Sequence, residues 1–146
     1  MKFVVARLDE FATGDRRIVR VGGREIGVFR VGVDEFYAIR NRCPHQGGPL
    51  CAGWISPRLV SEMPGQYQLD EGAPVLVCPW HGWQYDMATG QSFVPGDPDA
   101  RSYRVSVERG VVVAAELECG AALLEGPYVA ETFPVHVDDD YVILDA

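Results

Sequence analysis

Two short segments constrain this chain more than anything else in it: Cys43-Pro44-His45 and Cys78-Pro79-Trp80-His81. Each supplies one thiol and one imidazole, and each is stiffened by a proline directly after the cysteine. Each then runs into glycine, as Gln46-Gly47-Gly48 after the first and Gly82-Trp83 after the second. A lone Cys-x-His means little. Two such halves in 146 residues mean that loops distant in sequence must close around one inorganic core. Any fold that satisfies them must present two tight turns side by side, with glycine where the backbone approaches closely.

Two thiolates and two imidazoles in this order form the set that holds a [2Fe–2S] cluster asymmetrically, with thiolates on one iron and imidazoles on the other. The same four donors can also hold a tetrahedral structural zinc. Zinc fingers usually group a cysteine pair and then a histidine pair, whereas here Cys-His alternates with Cys-His. The flanking glycines also fit the cluster. Thiolates donate charge to ferric iron and neutral imidazoles donate less, so the histidine-bound iron is the easier one to reduce. The exchange places the potential within about −150 to +300 mV.

The pattern resembles the Rieske iron–sulfur family, whose signature is Cys-x-His, a spacer, then Cys-x-x-His. The likeness continues through Gly82-Trp83-Gln84-Tyr85-Asp86 and Thr89-Gly90. Val94-Pro95-Gly96-Asp97-Pro98 stands where such proteins carry a proline-rich loop against the cluster. The resemblance implies one [2Fe–2S] cluster per chain, with Cys43 and Cys78 on the inner iron and His45 and His81 on the outer, surface iron. It implies an antiparallel β sandwich or barrel with a small cluster-binding subdomain. The spacer here is about twice the usual family length, so residues near 55–73 read as an insertion, which costs little closure entropy. High-potential respiratory relatives brace their loops with a disulfide; the corresponding positions here are Gly48 and Trp80. Those relatives also have a serine two residues after the second histidine, where this chain has Trp83. Their tyrosine has a counterpart in Tyr85, a candidate donor to a cysteine sulfur. With neither serine nor disulfide, a potential in the lower part of the Rieske range is expected.

The chain is long enough to bury a core as a single domain, residues 1–146. No apolar run reaches the roughly 20 residues that span a bilayer. Met1–Arg7 alternates and is followed by Asp9 and Glu10, unlike a signal peptide, so the expected setting is cytoplasmic without a membrane. The net charge of −8 is unevenly placed, and the ligand-bearing part is acidic up to the run Asp138-Asp139-Asp140. That argues against nucleic acid, which needs a basic footprint. The run itself reads as a solvated turn. Cys51 and Cys119 read as small buried apolar residues, and His136 as a surface histidine on a strand.

Period-two alternation and β-branched clusters predict an all-β chain. Expected strands are 2–8, 17–21, 24–31, 35–40, 73–78, 82–86, 101–108, 111–115, 129–137 and 141–144, with one helical turn near 8–12. Tyr103 through Val113 is echoed by Phe133 through Ile143 at an offset of 30 residues. Each copy reads as a hairpin, so an extra C-terminal hairpin is expected at about 128–146.

The function that follows is one-electron transfer, from a flavin-dependent reductase to a terminal oxygenase or related oxidoreductase. The other reading is a small Rieske subunit of a multi-subunit enzyme such as a nitrite reductase or oxygenase. A two-histidine, one-carboxylate iron site cannot be built once His45 and His81 are assigned, because only His136 remains. A third class is an interaction module whose cluster only holds its loops together.

Overall fold

The computed structural model describes residues 1–69, 72–118, 122–123 and 135–146. Its strands are β1 (Lys2–Arg7), β2 (Arg16–Val21), β3 (Arg24–Gly32), β4 (Glu35–Arg40), β5 (Trp54–Ser56), β6 (Leu59–Met63), β7 (Gln66–Leu69), β8 (Val75–Val77), β9 (Gln84–Asp86) and β10 (Ser102–Arg109). A helix, α1 (Gly110–Glu118), precedes β11 (Ala122–Leu123) and β12 (Asp140–Asp145). The chain forms two compact units, Met1–Ala38 with Tyr103–Ala146, and Ile39–Ser102.

The first unit is built on a seven-stranded sheet ordered β11-β1-β12-β10-β4-β3-β2, nearly closed and barrel-like. The strand β2 alternates as a half-buried strand should, with Val19 and Val21 in the core and Arg16 and Arg20 outside. Strands β1 and β12 do not alternate: Phe3–Ala6 and Tyr141–Leu144 are buried throughout. A continuous apolar run is what a strand covered on both faces requires. One face packs Phe3, Val5, Val142 and Leu144 with Phe11, Val19, Ile26 and Val28. The other packs Val4, Tyr141 and Ile143 with Val113 of α1. A register shift between Val4 and Ala6 turns both Val5 and Ala6 into the first of these cores.

The helix corrects the expectation of a strand at Val111–Ala115. Three consecutive valines read as β, but Ala114-Ala115-Glu116-Leu117-Glu118 are strong helix formers. The second face of β1 and β12 supplies the burial that settles the choice. The expected C-terminal hairpin also needs restating. Its second strand exists as β12, but β12 lies between β1 and β10, pairing antiparallel with both. Residues 135–137 are not strand, and 129–134 lie outside the described residues. The echo therefore joins one strand from each copy: β10 pairs with β12 from Arg104↔Asp145 to Arg109↔Asp140. The 30 positions from Gly110 to Asp139 are inserted at the tip of that hairpin. Its base is closed by Gly110 N donating to Asp139 O at 2.6 Å.

The second unit holds a three-stranded sheet, β5-β8-β9, and a separate hairpin, β6-β7. That hairpin is what the long spacer contains, turning at Pro64-Gly65. At its entry, Arg58 pairs with the buried Asp86 at 3.2 Å, and its guanidinium lies over Phe93, 5.0 Å from the ring centroid.

Candidate metal centre

The two ligand loops lie within the Ile39–Ser102 unit and close in the same way. In the first, Cys43 N donates to Gly48 O at 2.8 Å and Gly47 N donates to Cys43 O at 2.7 Å. In the second, Cys78 N donates to Trp83 O at 2.8 Å and Gly82 N donates to Cys78 O at 3.0 Å. Each is the same six-residue ring begun at cysteine, with glycine in the left-handed region four places on: φ is 77° at Gly47 and 71° at Gly82. A residue with a Cβ pays a penalty there. The first loop follows β4 and the second lies between β8 and β9, whose antiparallel pairing fixes its two ends.

The structure sorts the four donors expected from the sequence by type, thiol near thiol and imidazole near imidazole. Cys43 and Cys78 are buried, at 2 % and 0 % exposure, and near enough for the Cys43 thiol to raise the pKa of Cys78. His45 and His81 are exposed, with ring centroids 5.2 Å apart in an edge-to-face arrangement. Among the described residues, no three donors converge on a single metal position. The arrangement is a buried pair of thiols and an exposed pair of imidazoles. It fits a two-metal core with a different ligand pair at each end better than a tetrahedral zinc, which needs four donors around one point.

Burial pushes the Cys78 thiol up, and the neighbouring Cys43 adds to this, while backbone N–H groups of Trp80 and His81 pull it down. Tyr85 is buried with its hydroxyl 3.3 Å from Cys43 Sγ. Burial first, and then that thiol, push the phenol well above its usual range, so it stays protonated and able to donate. The carboxylate of Asp97, in the proline loop, acts in the same direction on Tyr85, and its Oδ2 is buried with no hydrogen-bond partner.

Cys51 is a buried thiol, as expected, with Sγ 3.3 Å from Ile39 O and its N–H held by Asn41. Cys119 lies outside the described residues. His136 is exposed but stands in a turn and not on a strand; its amide donates to Tyr141 Oη at 2.7 Å. Sequence reasoning missed the part played by Trp83. Its ring stacks on His45, centroids 4.1 Å apart and 23° from parallel. Only the Trp where high-potential relatives carry serine hinted at it, since a contact between loops leaves no trace in the spacing of either.

Residues 1–104 match the Rieske [2Fe-2S] domain family. A human Rieske domain-containing protein is 35 % identical over 101 residues, 66 % of this chain and 56 % of that protein. The chain thus spans little more than half of that relative. The ferredoxin component of a naphthalene 1,2-dioxygenase/salicylate 5-hydroxylase system from Ralstonia sp is 29 % identical, covering 70 % of this chain and 84 % of its own. Among solved structures, the ferredoxin of carbazole 1,9a-dioxygenase from Nocardioides aromaticivorans IC177 superposes with a TM-score of 0.55 at 28 % identity, over 74 % of this chain and 90 % of that one. Paired thiols, exposed imidazoles and a match across both ligand loops lead to one assignment: the chain belongs to the Rieske [2Fe–2S] domain family.

Proposed function

We propose that the chain is a one-electron carrier, taking an electron from a flavin-dependent reductase and delivering it to a terminal oxygenase or related oxidoreductase in the cytoplasm. The observation that carries this reading is the sorting of the four donors, thiols buried and imidazoles at the surface. In this reading Cys43 and Cys78 hold the inner iron and His45 and His81 the outer one. A [2Fe–2S] cluster held there supplies a one-electron couple whose histidine-bound iron takes the charge.

The protein's part is to hold, insulate and tune. The buried cysteines keep water from the inner end, and the exposed imidazoles leave a short route to a docked partner. The hydroxyl of Tyr85 is placed to donate toward Cys43 Sγ, and the backbone N–H groups of Trp80 and His81 favour the thiolate of Cys78, so that added negative charge on sulfur is stabilised. The comparison that supports the partner class is with ferredoxins named as components of aromatic-ring dioxygenase systems.

The test is the visible absorption and EPR spectrum of protein purified in air and then reduced with dithionite. A rhombic EPR signal on reduction is expected in the wild type, lost in His45→Ala and His81→Ala and kept in Cys51→Ala and Cys119→Ala. A colourless protein with stoichiometric zinc overturns the reading. Reversible reduction by a flavoprotein reductase separates a carrier from a module whose cluster only ties loops together.

A further inference from the structure

The two ligand loops must hold one core between them, yet no disulfide joins them: Cys43 and Cys78 are free thiols. Two indoles of the second loop reach the first at separate points. Trp83 stacks face to face on His45 at 4.1 Å. Trp80 lies over Gly48 so closely that a Cβ built there would be 2.7 Å from its Cδ2 and 2.9 Å from its Cγ. Gly48 has no positive φ, so its backbone does not call for glycine. What requires glycine there is the ring.

Both contacts are anchored in the loop closures. Gly48 O accepts from Cys43 N, and Trp83 O accepts from Cys78 N. Each tryptophan contact thus links a residue of one closed ring to a residue of the other. Trp80 also remains 55 % exposed, so burial of the residue in a core does not explain where it lies. Nor is it an unattached surface side chain, because a flat ring resting on a bare glycine gains contact that any larger residue would deny.

We infer that Trp80 and Trp83 form a two-point aromatic clasp that holds the ligand loops at their working separation, with Trp83 also fixing the orientation of the His45 ring. Trp80 and Trp83 are positioning residues, and the inference rests on the reading above that these loops hold a [2Fe–2S] cluster. The Gly48–Trp80 contact occupies the two positions that high-potential relatives join by a disulfide. A noncovalent brace there holds the loops while allowing them to part.

The test is a cycle at the Gly48–Trp80 contact in the loaded protein, read by the half-life of the visible absorption under chelator and by thermal unfolding. Gly48→Ala alone is expected to shorten the half-life about threefold to tenfold, the scale of one aromatic contact. In a Trp80→Ala background the same substitution is expected to cost nothing further, because the ring it would strike is gone. Trp80→Phe and Trp83→Phe should recover most of the lifetime lost in the alanine variants. Trp83→Ala should broaden or shift the EPR g values as His45 loses its fixed plane, and Trp80→Ala should leave them in place. Additive effects of Gly48→Ala and Trp80→Ala, or alanine variants with wild-type lifetime and spectrum, overturn the clasp. If Trp80→Ala does not fold, the cycle is run with Trp80→Leu, which also removes the ring. A wild type without iron or signal refutes the cluster reading instead, and the thermal cycle then decides on the clasp by itself.

Discussion

At the scale of single residues, the site works through what each side chain offers to sulfur or takes from solvent. Tyr85 is the clearest case: its hydroxyl, 3.3 Å from Cys43 Sγ, is buried and held in its protonated form. Tyr85→Phe should lower the midpoint potential by tens of millivolts, because the reduced state loses a donor; a tenfold change in the one-electron equilibrium is about 59 mV. Potentiometric titration followed by EPR checks the shift, and an unchanged or raised midpoint would sink it. The spacing that singles out Cys43, His45, Cys78 and His81 was legible, and the structure adds that thiol lies near thiol and imidazole near imidazole. Trp83 and the reason for Gly48 were not legible, because both depend on what the opposite loop places against them. Gly47 and Gly82 were legible as glycines needing a tight turn, and their φ values of 77° and 71° agree.

At the scale of elements, the fold was readable where β-branched and aromatic residues fill a strand between turn signals. Strands β1 to β4 begin and end within a residue or two of the expected bounds, β1 included although both its faces are covered. The reading failed at Val111–Ala115, where a β-branched run became the start of a helix covering a face the pattern treated as free. What ties that helix down is Lys2, whose ammonium meets Glu108 at 2.7 Å and Glu116 at 2.9 Å. Hydrogen bonding to Glu108 and then Glu116 holds the Lys2 pKa above its ordinary 10.5. Lys2 in turn holds the Glu116 carboxyl below its ordinary 4.5. The Glu116 contribution is present above pH 4.5 and is lost as pH falls through the depressed value. The Lys2 contribution is complete below pH 10.5 and is lost only as pH rises beyond it. Lys2→Met should therefore lower the urea midpoint at pH 7, with the gap to wild type narrowing as Glu116 protonates below pH 4.5. A gap independent of pH would show that Lys2 acts through packing alone.

At the scale of the whole molecule, the two units differ in what they are made of. The first has long strands and a core that includes Phe3, Phe11, Ile26, Val28 and Leu144. The second has a sheet of three-residue strands, β5, β8 and β9, carrying loops that begin at Cys43 and Cys78. Binding a metal core between loops adds its free energy to whichever unit holds them. Removing the metal under chelator should raise amide exchange across residues 43–50 and 78–86, while β1 and β12 keep their protection. Hydrogen exchange followed by mass spectrometry measures both at once, and equal loss in β1 and β12 would refute the idea that the units respond separately. This division was hidden in the sequence, because β10 and β12 meet across the 30 positions between them and the chain order reads instead as two local hairpins.

The matched ring closures have a further consequence for how the half-sites are spelled. From cysteine to left-handed glycine the span is four residues in both loops, so Cys-x-His and Cys-x-x-His are not two loop designs. They are one design with the imidazole on a different rung: third in Cys43-Pro44-His45-Gln46-Gly47, fourth in Cys78-Pro79-Trp80-His81-Gly82. The unoccupied rung is then free for other use. The first loop spends it on exposed Gln46, and the second on Trp80, which reaches across to Gly48. The asymmetry that distinguishes the two motifs on paper is, in the folded chain, a choice of which position carries the imidazole and which is left for contact.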